Sequence, residues 1–182
     1  MPLIGDHAPE FHAMTTQGKI DFPADYKGSW VVLFSHPADF TPVCTTEFIA
    51  LSRMNETFES LNTKLIGLSI DSLHSHLGWI KSIEALNFNN EGKVKIPFPI
   101  IADISMNVAK KYGMLQTVAN TQTVRAVFII DPEGMIRTIL YYPMSTGRNI
   151  PEIIRILQSL QLNDKTHYST PANWQPGDDV VM

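Results

Sequence analysis

The chain has 182 residues, of which 44% are hydrophobic and 18% charged, and its formal net charge is −4. This composition is typical of a globular protein with one domain, or one domain and an appendage. No basic block is present, so we expect neither a nucleic acid nor an acidic membrane as partner. One cysteine excludes an internal disulfide. Without a signal-peptide pattern or a membrane-length apolar run, the sequence predicts a cytoplasmic protein.

The first half of the chain predicts a β-α-β unit. The apolar run Trp30–His36 indicates a buried strand, and apolar positions spaced near 3.6 residues predict a helix over Cys44–Leu61. Lys64–Ile70 indicates a second buried strand, which should lie parallel to the first with a right-handed crossover. Two short strand candidates precede this unit, near Phe11–Ala13 and Lys19–Asp21.

The second half adds further helices and an antiparallel hairpin. In chain order we expect a helix from a cap at Asp71 or Ser72 to about Ala85, an extended segment at 98–101, a helix at 105–112, strands at 124–130 and 135–142, and a helix from Asn149 to about Leu162. The turn sequence at 131–134 joins the two strands of the hairpin. The sum is an α/β fold, a thioredoxin-like three-layer sandwich with a mixed central sheet. Residues 1–162 form this domain, and 163–182 form a short C-terminal extension.

The single cysteine lies where the first central strand passes into its helix. Thr41 and Pro42 are favoured at a helix cap and at the first helical position, so Cys44 falls within the first turn. The unpaired N–H groups and the dipole of a helix N-terminus stabilise a thiolate, which is the reactive form of cysteine. The alternative is an inert buried cysteine, but polar Thr45, Thr46 and Glu47 follow it rather than an apolar stripe.

Four segments carry a resemblance to a known family. Phe34–Glu47, with its Pro-x-x-x-Thr-x-x-Cys core, resembles the active-site signature of the peroxiredoxins, specifically of the one-cysteine subgroup. Val124–Pro132 resembles the second active-site segment of that family, and Gly5–Phe11 resembles its opening segment. Thr170–Asp178 resembles the start of the C-terminal extension found in the subgroup. The resemblance covers essentially the whole chain.

The resemblance implies thiol-dependent reduction of peroxides, with neither a cofactor nor a metal. Cys44 would be the nucleophile that becomes a sulfenic acid. Arg125 would favour the thiolate and donate to the peroxide, and Thr41 would orient the peroxide against backbone N–H groups. Around them the resemblance implies supporting positions, in which Pro37 shields the thiolate, Val43 flanks it, Glu47 holds Arg125, and Arg148 is a second partner of Glu47.

Several of these residues have plainer alternatives. Arg125 could be a surface residue, Thr41 only a helix cap, and Glu47 only a partner of the helix dipole. His36 invites a Cys–His nucleophilic pair, but its place in a strand indicates that it points to the opposite face. His74 and His76 are two residues apart in a predicted helix, so they should not share a face, and we expect no metal site there.

Three functions remain open on the sequence. The first is a peroxidase that reduces hydrogen peroxide or small organic hydroperoxides through a Cys44 sulfenic acid, which an external thiol then reduces. The second is a non-catalytic redox sensor, in which Cys44 oxidation switches protein binding. The third is a thiol-disulfide oxidoreductase, which the absence of Cys-x-x-Cys disfavours.

The C-terminal extension suggests an oligomer. Trp174 between Pro171 and Pro176 indicates an exposed aromatic on an arm that lies across a neighbour, so we expect a homodimer or a larger homo-oligomer. Members of the subgroup usually carry a longer extension than the one ending here at Met182. Whether a resolving cysteine lies beyond that point stays open.

Overall fold

A computed structural model describes residues 1–115 and 121–182, which form two compact units, Met1–Arg148 and Asn149–Met182. The strands of the first unit are β1 (Phe11–Thr15), β2 (Gly18–Phe22), β3 (Trp30–Ser35), β4 (Thr63–Ser69), β5 (Ile100–Ala102), β6 (Arg125–Ile130) and β7 (Ile136–Tyr142). Its helices are α1 (Pro42–Arg53), α2 (Asn55–Ser60), α3 (Leu73–Ala85) and α4 (Asn107–Tyr112), with 3-10 turns at Ala24–Tyr26 and Phe88–Asn90. The second unit contains α5 (Ile150–Thr166).

The strands form one mixed sheet in the order β2-β1-β5-β4-β3-β6-β7. The central strands β3, β4 and β5 are parallel, as expected for strands joined by helical crossovers. β6 runs antiparallel to β3 and forms the predicted hairpin with β7. The mixed sheet expected from the sequence is therefore confirmed.

Helices cover both faces of this sheet. All six residues of β3 are buried, and successive side chains point to opposite faces. On one face, Phe34 contacts Phe48 of α1 with ring centroids 5.5 Å apart. On the other, Tyr112 of α4 packs edge-on against Phe128 of β6 at 5.2 Å. The first unit thus has the three layers that the sequence predicted.

Gly67 of β4 makes room for the aromatic pair beside the strand end. It lies opposite Phe34 in the β3–β4 register. A Cβ atom at this position would approach the rings of Phe34 and Phe48 to 3.3 Å. A side chain at this position would therefore require the two rings to move slightly away from the strand.

The helix predicted over 44–61 differs from the structure. It begins earlier, at Pro42, because the fixed φ of proline suits the first helical position. It also breaks at Met54, and a second helix restarts at Asn55. Asparagine favours caps and turns over helix interiors, and the restart leaves Phe58 fully buried. One continuous helix was therefore the wrong prediction.

The second unit consists of α5 and a folded tail. The Asn149 side chain caps the helix by accepting a hydrogen bond from the Glu152 N–H at 3.3 Å. In the tail, Ser169 and Val181 form an antiparallel bridge. Trp174 is only 3% exposed, and its indole N–H donates to the Asp178 carbonyl at 3.2 Å. The expectation of an exposed tryptophan is wrong, because the ring is buried and its N–H group is bonded within the tail.

Candidate active site

Cys44 is the third residue of α1, and its side chain is fully buried. β3 ends at Ser35, and Thr41 occupies the N-cap position with extended backbone angles. The first helical hydrogen bond runs from the Thr45 N–H to the Thr41 carbonyl at 3.0 Å. The N–H groups of Val43 and Cys44 precede that bond, so they face the open end of the helix, where a negative group is stabilised.

Arg125 contacts the sulfur directly. As the first residue of β6 it lies at the same end of the sheet as Cys44, because β6 runs antiparallel to β3. Its Nη1 donates to the Cys44 Sγ at 3.2 Å and to Glu47 Oε1 at 2.6 Å. Its Nε donates to the Met144 carbonyl at 2.8 Å, which fixes the plane of the guanidinium group. The cysteine therefore has a permanent positive charge within hydrogen-bond distance.

Glu47 joins Arg125 to Arg148. It lies one turn after Cys44 in α1, and its Oε2 accepts from the backbone N–H of Arg148 at 2.9 Å and from Arg148 Nε at 2.6 Å. Arg148 Nη2 also donates to Glu47 Oε1 at 3.0 Å. The remaining donor of Arg148, Nη1, reaches the carbonyls of Ser35 and Ala126 at 2.7 and 2.9 Å. This buried network ties α1, β3 and β6 together at the cysteine.

The charges of the network favour an anion at the sulfur. Burial alone would raise the pKa of Glu47, but the hydrogen bonds and charge of Arg148, with a smaller contribution from Arg125, hold that pKa below its ordinary range. Glu47 is therefore a carboxylate facing two guanidinium groups, which leaves one positive charge in excess. A Cys44 thiolate would balance that excess charge.

Thr41 and Val43 lie at the start of α1 beside Cys44 in the chain, and Pro37 lies in the loop that precedes them. The Thr41 hydroxyl makes no cap bond and instead donates to the Ala38 carbonyl at 2.8 Å. Its single proton is thus engaged, and its oxygen is left as an acceptor. Pro37 is buried, and Val43 packs against Gly147, where an added Cβ would lie 3.4 Å from Val43 Cγ1.

His36 faces the α1 side of the sheet, so the expectation that it points to the opposite face is wrong. Phe34 lies in β3 and His36 directly follows the strand, and both rings pack against Phe48 of α1, that of His36 at 5.0 Å. The His36 ring also packs against Trp79 at 4.9 Å. Its Nε2 bonds Asp39 Oδ1 at 2.7 Å, whereas its Nδ1 has no partner among the described residues. Burial lowers the pKa of His36 despite the nearby Asp39, which keeps the ring neutral.

One cluster among the described residues has atoms close enough to hold a metal ion. The ligand atoms of His36, Asp39, Asp71 and His76 lie within 4.8 Å of one another. These atoms already bond each other and nearby serines: Asp71 Oδ2, for example, accepts from Ser69 Oγ at 2.6 Å and from the Asp39 N–H at 3.0 Å. Among the cluster's buried side-chain nitrogen and oxygen atoms, His36 Nδ1 is the one that has no hydrogen-bond partner among the described residues. Sequence reasoning missed His76 because only the fold brings α3 beside the cysteine loop.

A separate cavity of about 510 Å³ lies at the other end of the sheet. Val31, near the start of β3, and Ile130, at the end of β6, line it together with His7, His12 and Asp21. Cys44 follows the opposite end of β3, so this cavity is distinct from the site around the sulfur.

Comparison with known proteins places this geometry in a family. Residues 4–139 match the AhpC/TSA family, and residues 159–182 match the C-terminal domain of 1-Cys peroxiredoxin. The chain belongs to the peroxiredoxin family. It is 63% identical to a peroxiredoxin of Methanosarcina mazei over 184 aligned positions, which cover 100% of this chain and 84% of that protein. A peroxiredoxin of Aquifex aeolicus is 52% identical, with coverage of 97% and 78%.

Solved structures agree with the assignment to the peroxiredoxins. A yeast mitochondrial 1-Cys peroxiredoxin superimposes with a TM-score of 0.90 at 46% identity, covering 99% of this chain and 86% of that one. Peroxiredoxin 6 of Arenicola marina gives a TM-score of 0.91 at 40% identity, with coverage of 100% and 84%. The fold is thus that of the thioredoxin-like peroxiredoxins, and the chain is a thiol-dependent peroxidase. The single cysteine fits a one-cysteine mechanism, and the sensor alternative is not favoured.

Proposed function

We propose that Cys44 is the nucleophile of this peroxidase and that Arg125 and Thr41 contact the peroxide. The observation that carries the proposal is the 3.2 Å contact between Arg125 Nη1 and Cys44 Sγ within a fully buried network. The contact lies at a helix N-terminus, so two independent sources of positive potential act on the same sulfur.

The proposed reaction begins with attack of the Cys44 thiolate on one peroxide oxygen. The S–O bond forms as the O–O bond breaks, the sulfur is oxidised to a sulfenic acid, and the leaving oxygen departs as hydroxide or alkoxide, which a proton converts to water or alcohol. Negative charge grows on the leaving oxygen, and Arg125 with the N–H groups of Val43 and Cys44 stabilises it. The Thr41 oxygen accepts a hydrogen bond from the peroxide O–H group, and this bond orients the O–O bond toward the sulfur.

The surrounding residues would hold these groups in place. Glu47 and Arg148 fix the guanidinium plane of Arg125 through their shared hydrogen bonds. Pro37 and Val43 would keep bulk water from the thiolate. His36, neutral and packed on Phe48, would support the loop rather than act as a base.

The substrate and the reductant follow from burial and from the cysteine count. Cys44 is fully buried, so we propose hydrogen peroxide and small organic hydroperoxides as substrates. One cysteine leaves the sulfenic acid without an internal partner, so two external thiols would reduce it, the first forming a mixed disulfide and releasing water. The yeast mitochondrial relative is resolved through glutathione/thioredoxin systems, and we propose a reductant of that chemistry here.

We also propose a homodimer that works in the cytoplasm. β7 is an edge strand of seven residues, and β6 is its only neighbour in the sheet formed by the described residues. At the start of β7, the Ile136 N–H and C=O bond Asp6 and Gly5. Such an edge can pair with the same strand of a second copy about a two-fold axis. No helix of the described residues is long and apolar enough to cross a membrane. The cytoplasmic assignment rests on the lone cysteine, which suits a reducing compartment.

Peroxide consumption with dithiothreitol tests the assignment of the nucleophile. The wild-type protein should consume hydrogen peroxide catalytically, and Cys44→Ser should abolish turnover while leaving the far-UV circular dichroism spectrum unchanged. Serine is close in size to cysteine, so the buried site should still fold. Turnover near the wild-type level in a folded Cys44→Ser protein would end the proposal.

A further inference from the structure

Asp39 is the centre of a buried hydrogen-bond network beneath loop 37–41, the segment that carries Thr41 to the cysteine. Its Oδ1 bonds His36 Nε2 at 2.7 Å, and its Oδ2 bonds His76 Nδ1 at 2.6 Å and accepts from Ser75 Oγ at 2.8 Å. Its own N–H donates to Asp71 Oδ2 at 3.0 Å. The Asp39 carboxylate therefore connects the end of β3 to the start of α3, and the Asp39 N–H adds the residues that follow β4.

The bonding pattern of His76 requires a proton on both ring nitrogens. Its Nε2 faces the Ile101 carbonyl at 3.0 Å, and a carbonyl can only accept. Its Nδ1 faces Asp39. Burial alone would raise the pKa of that carboxyl, but the hydrogen bonds from the two histidines outweigh burial and lower it, so Asp39 is ionised and also accepts. A neutral imidazole has one donor nitrogen, whereas this site uses two.

The other charged groups facing His76 fit this assignment. His36, whose ring centroid lies 6.1 Å from that of His76, is neutral with a bare Nδ1. Asp71 is engaged by Ser69 and by the Asp39 N–H. Asp39 and His76 are thus an ion pair, and both side chains are almost completely buried. A buried charge of this kind is stable only while its partner is present.

We propose that His76 is a positioning residue of the peroxidase site: as a buried imidazolium it holds the Asp39 carboxylate, and through it loop 37–41, in the conformation that presents Thr41 to the peroxide. His76 touches neither the sulfur nor the substrate. It acts through Asp39 on the segment that begins α1. This inference rests on the proposed role of Thr41.

The loop needs such a constraint because its backbone is strained. Phe40, next to Thr41, has a left-handed φ of 59°, which is costly for an aromatic residue, and its side chain is 60% exposed. Exposure of the ring means that its own packing contributes little to holding the turn. The Asp39 network supplies buried contacts on the residue just before Phe40.

The first test compares His76→Gln and Asp39→Asn with His74→Gln, a change to an exposed histidine on the same helix. Stopped-flow tryptophan fluorescence measures sulfenic acid formation by hydrogen peroxide. We expect losses on the order of 10²-fold for His76→Gln and Asp39→Asn, the scale for misplacing a reacting group, and no change for His74→Gln. The double variant should lose no more than either single variant, because one ion pair is removed in each case.

A rate for folded His76→Gln within about threefold of wild type, far below that scale, would overturn the proposal. Additive losses in the double variant would also overturn it, because independent packing roles add. If Cys44→Ser reacted with peroxide as fast as the wild-type protein, that result would instead count against the proposed function. The two failures are therefore distinguishable.

The second test needs no stable variant. Long-range proton–nitrogen NMR spectra of histidine-labelled wild-type protein near neutral pH distinguish an imidazolium from either neutral tautomer. We expect one histidine with both nitrogens protonated and one buried neutral histidine protonated on Nε2. Six histidines contribute signals, and His74→Gln removes one exposed signal to aid assignment. A neutral His76 would overturn the proposal, even if His76→Gln fails to fold.

Discussion

Nη1 of Arg125 lies 3.2 Å from the sulfur of Cys44 and 2.6 Å from Oε1 of Glu47, so a single guanidinium nitrogen joins the cysteine to the Glu47 carboxylate. With Nε bound to the Met144 carbonyl, these three bonds leave the two N–H groups of Nη2 for other partners. The geometry suits a group that must hold the sulfur and still donate to a peroxide.

Arg125→Lys should slow sulfenic acid formation on the order of 10²-fold, the scale for deleting one donor to a developing oxyanion. Lysine keeps the charge but cannot bond Glu47, Met144 and the sulfur with one planar group. Stopped-flow fluorescence with hydrogen peroxide measures the rate, with Arg53→Lys at the far end of α1 as control. If Arg125→Lys stays within about threefold of wild type, Arg125 is structural only.

Arg148→Met should lower the free energy of unfolding by about 3 kcal/mol, because it removes one partner of a buried ion pair. It also removes the hydrogen bonds that Arg148 donates to the carbonyls of Ser35 and Ala126. Arg155→Met breaks the more exposed pair with Glu152 and should cost less than about 1 kcal/mol. Urea denaturation compares the two variants. If the two variants lost the same free energy of unfolding, the buried network of Arg148 would not contribute more to stability than the more exposed pair of Arg155.

Acidification should destabilise the fold in two stages. The pKa of His36 is lowered from 6.5, first by burial, so below about that pH the unfolded chain binds a proton that the folded chain does not. The pKa values of Glu47 and Asp39 are lowered from 4.5 and 3.8, so their stabilisation is complete above those values and is lost as the pH falls through the folded pKa.

Asp103 opposes this trend, because burial raises its pKa and its protonation on acidification therefore favours the folded state. We expect the combined effect of His36, Glu47 and Asp39 to be larger. Urea midpoints measured from about pH 6, where histidines of the unfolded chain are already largely protonated, down to pH 4 should therefore fall, most steeply toward pH 4. A midpoint that rises on acidification over this range would contradict the assigned charge states.

Excess peroxide without a thiol should convert Cys44 to the sulfinic and then the sulfonic acid. The chain has one cysteine, so no internal disulfide can trap the sulfenic acid before the next oxidation. Intact-mass spectrometry should show the gain of two and then three oxygens, with Cys44→Ser as the control for methionine oxidation. A persistent species with one oxygen on wild type alone would show that the buried site protects the sulfenic acid.

The protein should be at least a dimer, because β7 is an edge strand of the sheet that the described residues form, and such a strand can pair with a second copy. Multi-angle light scattering across a concentration series measures the mass, for which the monomer value is 20.4 kDa. A mass that stays at the monomer value at every concentration would exclude pairing through this edge.

The sequence alone determined most of the architecture. Strand β3 was predictable because a short apolar run between turn residues is typical of a buried strand. The hairpin was predictable from the turn residues at 131–134. Cys44 in the first helical turn followed from Thr41 and Pro42, whose preferences are local. These predictions depend only on residues that are neighbours in the chain, so they could be made without knowledge of the tertiary structure.

Only the tertiary structure decided which distant side chains meet. It turned His36 toward α1 and brought His76 into hydrogen-bond contact with Asp39, and no local pattern shows either contact. It also buried Trp174, which the sequence had suggested was exposed on an arm. The same sheet brought Arg125 and Arg148 to one carboxylate beside the sulfur. The physical reason is that burial and electrostatic pairing depend on through-space distances, which the order of strands in the sheet sets and the chain order does not.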